Sequence, residues 1–270
     1  MTKHKWFRAR KSSPCPICHK PDWCTQTDDG LICCMRIESQ TRMKNGGWAH
    51  SMNGAPVKER HLPPESTPTI NAKEIWRQFD LDTTNEMIDQ FAFSLGVSGA
   101  SLTDLGCVWA SGHNAFCFPM LDHDINFIGL RLRDQSGHKW AVKGSKAGLF
   151  YPQWIHLERN DSNHTFFICE GPTDTAAALT LGLNAIGRPS CLGQEPMILT
   201  LLSHIHPHRI VIISDNDGPG YNGALLLQKQ LTTPSAILIP PTKDLRSFLQ
   251  QGGTRPVLDS IINSLIWSKP

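Results

Sequence analysis

No apolar run in the 270-residue sequence approaches the roughly 20 residues that cross a bilayer, so a transmembrane helix is excluded. The first residues, MTKHKWFRARKSSP, are basic but lack the apolar stretch of a secretory leader, and a cytoplasmic protein is expected. No GxxxxGK[ST] phosphate loop occurs, which leaves no phosphate-loop motor in the chain. Tyrosine is scarce: Tyr151 and Tyr221 are the only two, which leaves little room for chemistry through a tyrosine nucleophile. The net charge is only +2, so charge becomes informative only when it is located along the chain.

Cysteine, by contrast, is plentiful and unevenly placed. Of nine cysteines, five lie between Cys15 and Cys34, while the other four are scattered in apolar contexts. That distribution points to metal binding plus buried thiols, not to disulfides. Cys15-Pro-Ile-Cys18 is a C-x2-C knuckle, and Cys24 with Cys33 or Cys34 completes a tetrahedral four-thiolate zinc site. Alternation along GLICCMRIES puts Cys33 and Cys34 on opposite faces of a strand, so one of them is a spectator. His19 is the substitute ligand. A module of this size buries too little apolar surface to fold unaided, so zinc would be structural. Trp6, Phe7, Trp23 and Trp48 surround it; Trp23 and Trp48 are expected to form its small core.

Residues 1–50 are read as this module and 51–70 as a proline-rich linker without periodicity. From Asn71 to Asp80 and from Thr83 to Leu95 apolar residues recur at helical spacing, and SGASLTDL continues as a short helix. Alternating strands follow, with turns at His123-Asp124 and Ser136-Gly137. Residues 71–160 thus form a mixed α+β subdomain, and it is basic: Arg131, Arg133, Lys139, Lys143 and Lys146 are balanced nearby only by Asp134. With the basic N-terminus, this is the distribution of a protein that grips a phosphate backbone.

Residues 161–270 hold the densest chemistry. The strand pattern TFFIC ends at Glu170-Gly171, and Pro172 and Asp174 open a helix that runs to Gly182. The plan repeats: RIVIIS ends at Asp215-Asn216-Asp217, and Gly218-Pro219-Gly220 lead into a second helix. In an open α/β sheet ligands bind beyond the carboxyl ends of the strands, where Glu170, Asp215 and Asp217 fall. Converging carboxylates repel one another unless cations sit among them, and hard oxygen ligands select Mg²⁺ or Mn²⁺. Asp174 alone is more simply a helix N-terminal charge. VLDSIINSLIW is expected to close the chain as an amphipathic helix.

EGPTD at 170–174 and DND at 215–217 resemble, in order, the two motifs of the Toprim domain. The zinc knuckle in CPICHKPDWC, the FPM…IGLRLR…GSK…GLF run at 116–150 and PPTKDLRSFLQQGG at 240–253 resemble DnaG-type and phage helicase-primases. The fold this implies is a Rossmann-like, mostly parallel Toprim core, preceded by a basic α+β subdomain and an N-terminal zinc ribbon. The resemblance also chooses Cys34 over Cys33 as the fourth ligand. It makes Glu170 an acid/base or metal-linked residue and gives Asp215 and Asp217 two Mg²⁺ or Mn²⁺ ions, with Asp174 joining the set. It adds Asp244, unless that residue merely caps LRSFLQQ. Lys139 becomes catalytic, and Arg131, Arg133, Lys143, Lys146 and Arg188 bind template or triphosphate. The activity implied is synthesis of short RNA primers from nucleoside triphosphates on single-stranded DNA, in a phage, plasmid or other mobile element, with a separate helicase as partner. A Toprim nuclease and a non-catalytic single-stranded DNA adaptor are the competing readings.

Overall fold

The computed structural model describes residues 5–37, 39–41, 43, 47–52, 70–158 and 165–268. The chain divides into two compact units, Met1–Ser66 and Thr67–Pro270. Most of the proline-rich linker, 53–69, lies outside the described residues, and Ser51 belongs to a strand. Among the described residues no helix is long and apolar enough to cross a membrane.

The first unit is a four-stranded antiparallel sheet of β1 (Trp6–Arg8), β2 (Thr25–Thr27), β3 (Leu31–Cys34) and β4 (Trp48–Ser51), paired in chain order. The basic N-terminal segment is therefore partly a strand. Among the described residues its buried cluster is Ala9, Ile32 and three cysteines, so sulfur makes up much of it. Trp48 is buried, but Trp23 is 49% exposed, against expectation. Its backbone sits at φ 67°, and the Arg36 guanidinium covers its ring at 5.6 Å.

The second unit opens with α1 (Ala72–Leu81), α2 (Asn85–Leu95) and α3 (Gly99–Asp104). Each starts where a side chain answers an orphan N–H: Asn71, Thr84 and Ser98 accept from the third residue beyond. These helices pack on an antiparallel sheet of β5 (Val108–Ala110), β6 (Ala115–Leu121), β7 (Phe127–Arg133) and β8 (Lys139–Ala141), again in chain order. β6 is buried along its whole length.

The rest of this unit alternates strand and helix: β9 (Thr165–Glu170), α4 (Gly171–Thr180), β10 (Asn184–Arg188), α5 (Glu195–Ile205), β11 (Arg209–Ile213), α6 (Gly218–Gln228) and β12 (Ser235–Leu238). All pairs are parallel, in the order β10-β9-β11-β12. Apolar clusters on both faces, one around Ile168 and Ile212 and one around Phe167 and Val211, explain why these strands read as continuous apolar runs. α7 (Leu245–Gln250) and α8 (Arg255–Asn263) finish the unit. The last helix starts before and stops short of the expected VLDSIINSLIW, and Ser264 to Ser268 leave it to join the edge of β12 through Ser268 and Ser235. The two sheets are tied by isolated bridges Leu121 to Leu149 and Phe150 to Gly187, and by a core that gathers Phe91, Phe116 and Phe118 with Ala176 of α4.

Candidate metal and nucleotide sites

In the first unit the sulfurs of Cys15, Cys18, Cys24 and Cys34 all lie within 4.8 Å of one another. Cys15 and Cys18 come from one tight turn, in which the His19 N–H donates to the Cys15 carbonyl at 2.8 Å. Cys24 precedes β2 and Cys34 ends β3. The backbone N–H groups of Met35 and Ile37 donate to the sulfurs of Cys24 and Cys34 at 3.3 Å each. Burial pushes the Cys18 thiol up, yet N–H donation from Lys20 and bonds from Cys24, Cys15 and Arg36 outweigh it and bring it to about 7. Four soft donors, already served by N–H groups, fit a tetrahedral Zn²⁺. Cys33 is excluded by strand alternation: Gly47 packs so close to it that an added Cβ would stand 2.5 Å from its sulfur. None of the nine cysteines is in a disulfide, and His19 is not among the gathered ligands.

In the second unit β10 lies on one side of β9 and β11 on the other, so the connection reverses direction between β9 and β11. That switch point is where an open parallel sheet forms its crevice, and Glu170 ends β9 there while Asp215 follows β11. Gly171, at φ 78°, turns the chain directly after Glu170 into α4. The acidic loop folds back on α6: Asp217 caps that helix, accepting from the Gly220 N–H at 2.7 Å, and a Cβ on Gly220 would stand 2.8 Å from the Asp215 carbonyl.

The carboxylates share one field. Desolvation raises Glu170 to about 7 against the pull of Arg188, with Asp215 and Asp217 adding to the rise. Desolvation, then Asp244, raise Asp174 to about 7. Asp215 is raised to about 6 by burial, Asp244 and Asp217, while Lys139 and Lys243 pull it down. Such concentrated negative charge suits a hard divalent cation. The oxygens are not gathered as the thiols are: among the described residues, the four cysteines are the one group close enough to share an ion. Asp217 and Asp244 each spend an oxygen capping a helix, Asp244 accepting from the Ser247 N–H at 2.7 Å. Rotation of these side chains would be needed to bring the carboxylates onto one ion.

Two expectations change. Asp174 is not a solvated helix-start charge: it is 6% exposed and accepts the Arg246 N–H at 2.9 Å, joining α4 to α7. Arg188, expected to meet substrate, is 1% exposed and directs its guanidinium to Glu170 at 3.4 Å and to the Gly223 carbonyl at 3.3 Å. Its Nε has no protein partner.

The basic residues separate into two sets. The field of Asp174 and Asp244 reaches Arg133, that of Asp174 and Asp215 reaches Lys139, and both cations are lowered first by desolvation and then by neighbouring cations. Arg131 shares their sheet face, since it lies two residues from Arg133 along β7. Lys143 and Lys146 are exposed, and no contact joins them to the acidic group. Sequence reading missed Arg246, which faces Asp244 at 3.7 Å and stands near Arg133 and Lys139, and Lys243 beside Asp215. Their signal was their place on either side of Asp244.

No protein-family model and no curated protein sequence matches the chain. Solved structures do. The primase fragment of the bacteriophage T7 primase-helicase protein aligns over 94% of this chain and 99% of its own, at 14% identity and TM-score 0.53. The zinc-binding and RNA polymerase domains of the Aquifex aeolicus primase align over 73% of this chain and 60% of theirs, at 14% identity and TM-score 0.56. A DnaG primase catalytic domain bound to single-stranded DNA aligns over 73% and 78%, at 13% identity and TM-score 0.55. With a four-thiolate unit preceding in sequence a basic sheet and a parallel sheet that carries Glu170 and Asp215 beyond its strand ends at the switch point, this chain has the Toprim-type fold of the DnaG primases.

Proposed function

We propose that the protein is a DNA primase that makes short RNA primers on single-stranded DNA by nucleotidyl transfer. The observation that carries this reading is the shared field of Glu170, Asp215 and Asp217 at the switch point, with Lys139 acting on Asp215 and Arg133 and Arg246 on the neighbouring Asp174 and Asp244. In the reaction a 3′-hydroxyl oxygen forms a bond to the α-phosphorus of a triphosphate, the α–β phosphoanhydride breaks, and pyrophosphate leaves. Two Mg²⁺ or Mn²⁺ ions, held by Asp215 and Asp217 with Glu170, would neutralise charge on the attacking and leaving oxygens. Glu170, held near 7 by burial, is suited to accept the hydroxyl proton at neutral pH. Arg188 fixes its position from behind. Lys139, Arg133 and Arg246 hold the triphosphate, Arg131 continues the same basic face, and Lys143 and Lys146 contact the strand at the periphery. The zinc unit selects the start site on the template, and a separate cytoplasmic helicase of a phage, plasmid or other mobile element supplies the unwound strand.

The test is incubation of purified protein with single-stranded templates, Mg²⁺ or Mn²⁺ and labelled triphosphates. Short products that vanish in Asp215→Asn support the proposal. Template cleavage would favour a nuclease, and neither product a binding adaptor.

A further inference from the structure

The register of the antiparallel sheet places four side chains in one transverse row. Trp109 pairs with Phe116, Phe116 with Arg133, and Arg133 with Lys139. Directly paired residues project from the same face, so two aromatics and two cations lie side by side on it. At the aromatic end is a cavity of about 550 Å³ whose lining includes Met87, Gln90, Phe91, Trp109, Phe116 and Gln135. Phe91 and Phe116 stack in parallel at 3.8 Å, and Trp109 meets Phe116 edge-on at 4.9 Å. Among the described residues, the amides of Gln90 and Gln135 and the indole N–H of Trp109 have no protein partner. The other end of the row is the Arg133 and Lys139 pair, beside Asp174 and Asp215. Strands lie about 5 Å apart, so the first cation is one spacing from Phe116 and the second two.

We infer that this cavity is a nucleobase site, which holds one unpaired base against the half-buried Trp109 ring while the attached phosphate lies on Arg133 and Lys139. The inference rests on the nucleotidyl-transfer reading and names the part of the nucleotide that reading leaves unplaced. Aromatic walls suit the π-face of any base, and the unpartnered amides of Gln90 and Gln135 offer both donor and acceptor to its edge. An aliphatic ligand would use the walls alone, whereas a base joined to a phosphate uses both ends of the row. The base belongs either to the template strand or to an incoming triphosphate; the chemistry is common to the two.

The test uses the full chain and three probes: a labelled oligothymidylate, an abasic strand of equal length, and ATP. Wild type should bind the oligothymidylate more tightly than the abasic strand. Trp109→Leu should weaken binding of a base-bearing probe about tenfold, within the range of base–aromatic stacking, and leave the abasic strand unaffected. Gln135 is exposed and outside the core, so Gln135→Ala tests the same site without endangering the fold, and a severalfold loss is expected. Phe93→Ala, on α2 but outside the cavity and 90% exposed, should change nothing. Loss confined to oligothymidylate assigns the base to the template, and loss confined to ATP assigns it to the incoming nucleotide. If wild type binds both probes and neither Trp109→Leu nor Gln135→Ala alters either, the cavity is not a base site, while the proposed reaction stands. If wild type binds no probe, both fall.

Discussion

Among the described residues Arg188 is the largest of the fully buried side chains, and a guanidinium so enclosed must be answered by negative charge or cost the fold several kcal/mol. Glu170 answers it, and the two control each other. Burial lifts Glu170, Arg188 holds it down, and the balance falls at about 7. Because this lies above the value in an unfolded chain, the contribution of Glu170 to stability is complete below about pH 4 and is lost as pH rises through 7. Arg188→Met removes the restraint and moves that loss to higher pH. The melting temperature of the variant should therefore fall further below wild type at pH 8 than at pH 6, and the acid limb of its pH–rate profile should move upward. A temperature gap that does not vary with pH would show that the two residues do not share charge. The sequence made Glu170 legible, because a glutamate after an apolar run and before a helix is not among the preferred helix caps. It could not show where Arg188 points, since a strand end is open or closed according to what packs over it, here the Gly223 region of α6.

Among the elements, α6 and α7 begin at carboxylates proposed for the site, Asp217 and Asp244, and the helix and the site would make different demands on them. Asparagine caps a helix about as well as aspartate, whereas alanine costs about 1 kcal/mol. Asp244→Asn should thus keep the wild-type melting temperature and Asp244→Ala should lower it. If Asp244 also serves the site, both should lose primer synthesis; full activity in Asp244→Asn would leave it a cap alone. β3 poses a similar choice between neighbours. One zinc per chain is expected, retained in Cys33→Ser and lost in Cys34→Ser and Cys18→Ser by elemental analysis, because only the first change leaves the four gathered sulfurs intact. Elements with a strong period, such as α2 and β9, were legible in the sequence. The end of α8 was not: Leu265 and Trp267 continue its apolar pattern, but they lie half-buried on a non-helical tail, with the Trp267 ring under Arg209 at 4.8 Å.

At the scale of the whole molecule, the order of zinc unit, basic sheet and acidic parallel sheet could be read from composition, because each has its own periodicity and charge. Which carboxylates are enclosed could not, since Asp174 looks like an ordinary helix-start residue until α7 covers it. That enclosure sets a global property. Glu170, Asp174 and Asp215 are raised to about 7, 7 and 6. Each is a carboxylate whose folded value exceeds its unfolded one, so each gives stability below about pH 4 that is lost as pH climbs through these values. In buffer free of Mg²⁺ and Mn²⁺, the second unit should melt at progressively lower temperature as pH rises from about 5.5 to 8, a range that leaves thiolate-bound zinc in place. Added Mg²⁺ should raise the melting temperature, and more at pH 8 than at pH 6, because it binds the ionised form. Asp215→Asn removes one of the repelling charges and lowers the values of the other two; its melting temperature should fall less steeply with pH and respond less to Mg²⁺. Equal slopes for wild type and variant, with equal responses to Mg²⁺, would mean that these carboxylates do not act as one group, and the proposed metal assignment would fail with them.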